Sequence, residues 1–204
     1  MDEAIKAVSE LREVLRNRRS IRHFSDEPVA SALIEEVVGC AATAPSGANK
    51  QPWRFVCVSN SELKKKIRMA AEVEEREFYE NRATEQWKAD LAPLGTDADK
   101  SFLEVAPWLV VVFKLVQGDD GGNVYYADES VGIATGMLLA AAQVAGLATL
   151  THTPSPMKFL GEVLNRPPNE RAYMLIPMGW PAIECEVPVA AVCKKPLSEV
   201  MVKC

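Results

Sequence analysis

The sequence predicts one domain in which strands alternate with helices, of the α/β or α+β class. Three observations carry this. The 204 residues suffice for one substantial core but not comfortably for two. Short β-branched and aromatic runs alternate with longer stretches of helical periodicity. No internal repeat, low-complexity tract or linker interrupts the alternation, so residues 1–204 read as a single unit.

The elements follow in order. From Glu3 to about Arg16, Ile5, Val8, Leu11, Val14 and Leu15 recur at helical spacing. A basic turn, NRRSIRHF, comes next. SALIEEVVGCAATA is a second helix, ended by Pro45-Ser46-Gly47. WRFVCVS, from Trp53 to Ser59, has the composition of a strand. Ser59 and Glu62 have the spacing of a capping box for the helix that follows. That helix, KKKIRMAAEVEEREFYE, is heavily charged and is expected to be largely exposed. The stretch onward to Lys100, with Pro93 and Gly95, is loosely patterned.

APWLVVVFKL is a buried strand and QGDDGGN a turn. The apolar segment Val131 to Leu150 has the length that a bilayer requires. Thr135, Gln143 and Thr149, the preceding Asp128 and Glu129, and the lack of aromatic or basic anchors assign it instead to a helix buried on all sides by protein. Gly132 and Gly136 would let another helix approach closely, which suits a symmetric dimer contact. LATLT is a short strand, MKFLGEVL a helix and YMLIPMGW a strand. The last residues, about 185–204, carry Pro188 and Pro196 and little periodicity, as expected of a tail that wraps a second subunit.

Composition excludes several functions. The net charge of -5 argues against a general nucleic-acid binder, although Arg16, Arg18, Arg19 and Arg22 make a local anion site conceivable. Five scattered cysteines without a CxxC pair fit free thiols in a reducing cytoplasm. His23 and His152 lack ligand spacing, so no metal is expected. The acidic, amphipathic MDEAIKAVSELREVL is not a signal peptide, and neither a membrane nor a nucleic acid is an expected partner. Neither GxGxxG, GxxxxGK[ST] nor GxSxG occurs, so the standard nucleotide loops and the hydrolase elbow are missing.

Arg18-Arg19-Ser20-Ile21-Arg22 offers guanidiniums beside a hydroxyl, a phosphate clamp in principle. A solvated basic helix end explains the same residues. Ala44-Pro45-Ser46-Gly47-Ala48-Asn49-Lys50-Gln51-Pro52-Trp53 is a tight connection whose small residues admit a flat ligand, or simply a loop. Together, R-R-S-x-R and A-P-S-G-x-x-x-x-P-W, with T-x-T-P and M-G-W-P near the end, resemble the nitroreductase superfamily of flavoproteins. The resemblance runs from Val14 to Val202 and is closest to the iodotyrosine deiodinases. Glu75 and Tyr79, four apart on one helix face, and Lys100, twenty-one residues further, carry that narrower match.

The resemblance implies an α+β nitroreductase-like fold, a central mixed β-sheet flanked by helices, in an intertwined homodimer with FMN at the interface. It implies that Arg18, Arg19, Ser20, Ile21 and Arg22 hold the FMN phosphate and ribityl chain, with Pro45 and Ser46 adding contacts from the partner subunit. Thr151, His152 and Thr153 border the flavin, and the Thr153 hydroxyl is the expected catalytic hydrogen bond to flavin N5. Ala48 offers a backbone N–H to a substrate phenolate. A lid spanning about 71–100 grips an amino-acid zwitterion, Glu75 at the ammonium and Tyr79 with Lys100 at the carboxylate.

The implied activity is reductive dehalogenation of 3-halotyrosines, with an electron donor that the sequence does not name. Three departures stand out. Lys194 occupies the place of the last phosphate-binding Arg and supplies charge without a bidentate fork. His152 stands where the family often has Thr, and no membrane anchor is expected. A general NAD(P)H-dependent nitroreductase or quinone reductase shares fold and cofactor but has no need of the Glu75, Tyr79 and Lys100 set. A non-catalytic flavin or amino-acid binder is the alternative from another class.

Overall fold

The computed structural model describes residues 2–204. Four strands, β1 (Trp53–Val58), β2 (Trp108–Leu115), β3 (Ala148–Thr149) and β4 (Glu170–Gly179), form one sheet in the order β1-β2-β4-β3. All three ladders are antiparallel. The parallel contact expected of a mixed sheet is confined to an isolated bridge between Ser20 and Thr149. The α+β class holds, with the ladders closer to purely antiparallel than expected. The helices α2 (Ser31–Ala42), α3 (Ser61–Glu77), α6 (Ala127–Val144) and α7 (Lys158–Val163) supply the layers on its two faces.

Side-chain alternation along β2 and β4 divides the core. Val110, Val112, Ile176 and Met178 face α2 and α6, where Ile34, Val37, Val131, Ala134 and Leu138 meet them. Leu109, Val111, Phe113 and Leu175 face the other way, against Ile67 and Ala71 of α3 and Leu160 of α7. β2 is therefore apolar on both faces, which is why its sequence is a continuous apolar run.

The first helix, α1 (Asp2–Arg16), forms where its spacing predicts, yet none of its residues is buried in this chain. Three further helical details depart from expectation. The cap of α3 is Asn60, whose side chain accepts from the Leu63 N–H at 3.0 Å; Ser59 lies one position too early. Asn caps as well as Ser, and the chain uses it because the helix begins at Ser61. Secondly, α6 is not buried on all sides. Val131, Ala134, Thr135, Leu138 and Ala142 form one buried stripe, while Ile133 and Val144 are exposed and nothing lies against Gly136. Uniform alanine and glycine content conceals which face is inside. Thirdly, α4 (Glu85–Leu91) occupies the loosely patterned stretch, with Thr84 as its cap.

Three short helices complete the named elements: α5 (Phe102–Val105) precedes β2, while α8 (Val189–Val192) and α9 (Leu197–Val200) lie in the tail. Pro188 and Pro196 stand immediately before α8 and α9, so the tail has more order than its composition suggests. No helix among the described residues is long and apolar enough to cross a membrane.

Candidate active site

The site is assembled at the β3 edge of the sheet. Beyond β3 the chain continues as Leu150-Thr151-His152-Thr153, and His152 pairs with Leu175 of β4 through both backbone N–H···O bonds at 2.9 Å. On the other side the Ile21 N–H donates to the Thr149 carbonyl at 3.0 Å. That contact brings the basic segment alongside the threonines, and Arg22 emerges beside them.

The segment expected to act as a lid, about residues 71–100, runs across this edge. Past the end of α3, one π-helical turn (Phe78–Arg82) precedes α4, and a 3-10 turn (Ala92–Leu94) leads back toward Lys100. Such single π-turns are frequent at functional sites. The return is fixed to α3: the Lys100 N–H donates to Glu72 Oε1 at 3.1 Å, and Arg68 holds both Glu72 oxygens at 2.9 Å. Phe78 meets Trp87 edge-on at 4.9 Å, closing the lid over an aromatic contact.

Between lid and sheet edge lies a cavity of about 500 Å³, in the usual range for small-molecule sites. Arg22, Glu75, Tyr79, Lys100, Thr151, His152 and Thr153 all line it, so seven of the expected site residues converge. Glu75 and Lys100 form an ion pair, Oε2 to Nζ at 3.3 Å, with side-chain exposures of only 13% and 7%. Burial pushes the Glu75 carboxyl above its ordinary range despite Lys100 beside it. The Tyr79 hydroxyl donates to Thr96 Oγ1 at 2.8 Å, and burial raises its pKa. His152 is held neutral, pushed down to about 3 by burial and by the charges of Lys100 and Arg22.

Arg22 is half-buried and, among the described residues, makes no ion pair; burial lowers its pKa against the pull of Tyr79, Asp97 and Glu75. Burial and Arg19 likewise lower that of Arg18. The Arg19 guanidinium donates to the Arg16 and Arg18 carbonyls, and Ser20 sits in the bridge to Thr149. An unneutralised guanidinium at a cavity wall is a fitting host for an anionic group such as the phosphate of FMN. Among the described residues no cluster could hold a metal.

Eight expected residues do not line the cavity within one chain: Arg18, Arg19, Ser20 and Ile21 of the basic segment, and Pro45, Ser46, Ala48 and Lys194. Pro45, Ser46 and Ala48 lie around the 3-10 turn Gly47–Asn49, where Ser46 Oγ accepts from the Gln51 N–H at 2.9 Å. Ala48 (φ 49°), Asn49 (φ 52°) and Gln51 (φ 48°) all adopt left-handed backbone there. Three such residues so close together are strained, and strain of this kind collects at ligand-binding turns. Lys194 is exposed in the tail. Sequence reasoning also missed Phe78, Trp87, Thr96 and Phe102 in the cavity wall. The Thr84 cap was a signal that would have placed Trp87 in the first turn of a helix.

Residues 15–180 match the nitroreductase family. The iodotyrosine deiodinase of Haliscomenobacter hydrossis is 50% identical over 192 residues, 92% of this chain and 86% of that one. The iodotyrosine deiodinase of Nematostella vectensis is 43% identical over 206 residues, 98% of this chain and 77% of its own. A crystal structure of oxidised iodotyrosine deiodinase bound to FMN and 3-iodo-L-tyrosine superposes with a TM-score of 0.81 at 32% identity, covering 95% of this chain and 97% of the other. The chain is a member of the nitroreductase family and stands, within it, among the iodotyrosine deiodinases.

Proposed function

We propose that this protein is an FMN-dependent reductase that removes halide from 3-halotyrosines and releases tyrosine. The observation that carries it is the buried Glu75 and Lys100 pair with Tyr79, opposite charges held together in the wall of a cavity that also contains Arg22 and Thr153. An α-amino acid presents one cation and one anion at a fixed separation, and this pair is its complement. Glu75 takes the ammonium; Lys100 and the Tyr79 hydroxyl take the carboxylate. The lid built on these residues excludes water from the ring held beneath it.

The residues at the sheet edge fit FMN. Arg18, Arg19, Ser20, Ile21 and Arg22 would hold the phosphate and ribityl chain, Thr151, His152 and Thr153 would border the ring system, and the Thr153 hydroxyl would supply a hydrogen bond at flavin N5. When bound, FMN supplies two electrons from an external reductant, which with one proton replace the carbon–halogen bond by carbon–hydrogen and release halide.

The functional unit is a homodimer. Ser46, Pro45 and the Ala48 N–H lie outside the cavity of their own chain, and a second copy would bring them to it, with Ala48 donating to the substrate phenolate. The exposed Ile5, Val8 and Leu11 of α1 and the open face of α6 suit burial against that copy. The tail, residues 185–204, wraps the partner and brings Lys194 toward its phosphate. Five free cysteines agree with a cytoplasmic protein.

The test is titration of the FMN-loaded protein with 3-iodo-L-tyrosine and with 4-nitrophenol, read by flavin fluorescence. Iodotyrosine is expected to bind tightly and saturably, and Glu75→Gln to weaken it about tenfold or more while FMN stays bound. Equal response to 4-nitrophenol, or unchanged affinity in Glu75→Gln, would reject the zwitterion site and leave a general nitroreductase.

A further inference from the structure

The His152 imidazole has a place in the cavity wall that backbone pairing alone does not explain. Its Nε2 is the one buried side-chain nitrogen or oxygen without a hydrogen-bond partner among the described residues. That atom lies 3.8 Å from Glu75 Oε1, while Lys100 Nζ lies 3.3 Å from Oε2 of the same carboxylate. Glu75 thus stands between an ammonium on the lid and an imidazole on the sheet. The imidazole is the immobile one: its backbone is paired twice with Leu175, and its ring packs edge-on against Phe102 at 6.1 Å.

We infer that His152 is a positioning residue for Glu75, its Nε2–H donating to Oε1 and holding the carboxylate in place once Lys100 turns to a ligand's carboxylate. The inference rests on the cavity being an α-amino-acid site. Within the chain Glu75 and Lys100 satisfy each other. A zwitterion makes both change partners: its ammonium takes over from Lys100 at one carboxylate oxygen of Glu75, which leaves Oε1 to be satisfied. A carboxylate this buried needs another donor. The Nε2 side is where one stands, and closing 3.8 Å to hydrogen-bond length takes about 1 Å of movement.

The tautomer follows from charge. A neutral imidazole carries one N–H, and placing the bare Nε2 lone pair against a carboxylate oxygen would be repulsive. Lys100 and Arg22, the cations facing the ring, disfavour a second proton. Glu75 does not offset them, because its own raised pKa neutralises it before His152 takes up that proton. His152 therefore supplies a hydrogen bond without a charge, and it does not compete with the ligand's ammonium for Glu75. It acts on ligands that possess an ammonium and is indifferent to those that do not.

The experiment measures dissociation constants on FMN-loaded protein by flavin fluorescence, for 3-iodo-L-tyrosine and for 2-iodophenol, which lacks the amino-acid end. His152→Ala is expected to weaken iodotyrosine about tenfold more than it weakens iodophenol. His152→Gln, whose amide can donate toward Glu75, is expected to recover most of the difference. In ¹⁵N-histidine spectra the His152 ring should be the Nε2–H tautomer, with that resonance moving when iodotyrosine is added. Equal weakening of both ligands, no weakening of either, or an Nδ1–H tautomer in the complex overturns the assignment. Wild-type protein that prefers iodophenol overturns the amino-acid site itself, a separate result seen before any variant is made.

Discussion

Replacing His152 by Asn should make the protein less sensitive to acid. In the folded chain His152 is pushed down to about 3, whereas an unfolded histidine titrates near 6.5. A depressed folded pKa means that the unfolded chain binds the extra proton, so stability is complete above about pH 7 and falls progressively until about pH 3. Between about pH 7 and about pH 5 the loss is about 0.6 × ln(33/1.3), or about 2 kcal/mol. This figure needs only that the folded pKa lie well below 5, so it is insensitive to the exact depth of the shift. Glu75, with its raised pKa, opposes the trend, but it is present in both proteins. The assay is urea unfolding at both pH values with protein and FMN concentrations held constant. Wild type should lose about 2 kcal/mol more than His152→Asn over this interval. Equal losses would mean that His152 takes up a proton as readily in the folded chain as in the unfolded one, so that burial beside Lys100 and Arg22 would not hold the ring neutral.

Three further outcomes are expected. The side chain of Glu170 is 1% exposed between Arg54 at 3.2 Å and Arg166 at 2.7 Å. Burial alone would raise its carboxyl, but the two guanidiniums outweigh burial and hold it low. Glu170→Gln, which leaves two cations facing a neutral amide, should cost about 3 kcal/mol in urea unfolding, and a cost under about 1 kcal/mol would refute the pairing. Gly179→Ala would drive a β-carbon into the Pro107 ring, and a melting temperature within about 2 °C of wild type would contradict that crowding. Tyr79→Phe removes the hydroxyl that donates to Thr96 and should raise the rate of proteolytic cleavage within residues 71–100 about fivefold; an unchanged rate would show that this bond does not hold the lid.

What could be read from sequence depended on where each residue's partners lie. WLVVVFKL declared itself a buried strand because both faces of β2 meet core. Glu75, Tyr79 and Lys100 were legible as a set through the family resemblance, helical spacing adding only that the first two share a face, and the structure brings all three to one cavity. The opposite holds for α6, where alanines and glycines give no contrast between the buried stripe and the open face. Lys64 was also hidden: it belongs to a charged helix, yet it is buried with Nζ donating to the Glu104 and Ala106 carbonyls at 2.8 Å. Its partners are some forty positions away, beyond any local pattern. His152 is the sharpest case. Neither Thr151 nor Thr153 beside it announces that its ring nitrogen will face a carboxylate from another element.

The attachment of Lys100 to Glu72 has a consequence for how this architecture can diversify. Both feet of the lid stand on the same stretch of α3, braced by Arg68, so the segment between them is a closed loop on a fixed base. Lengthening such a loop costs little, about 0.6 kcal/mol for each doubling, because closure entropy grows only with the logarithm of its length. The span from Ala83 to Leu91 could therefore be exchanged for longer or shorter segments while Glu75 and Lys100 keep their separation, with Thr96 still bonded to Tyr79 and Ala92–Leu94 still packed on α8. Altering that span would retune which ring substituents the cavity admits, leaving the charge pattern at its rim untouched. The base works as a socket, and the lid's tip as the interchangeable part.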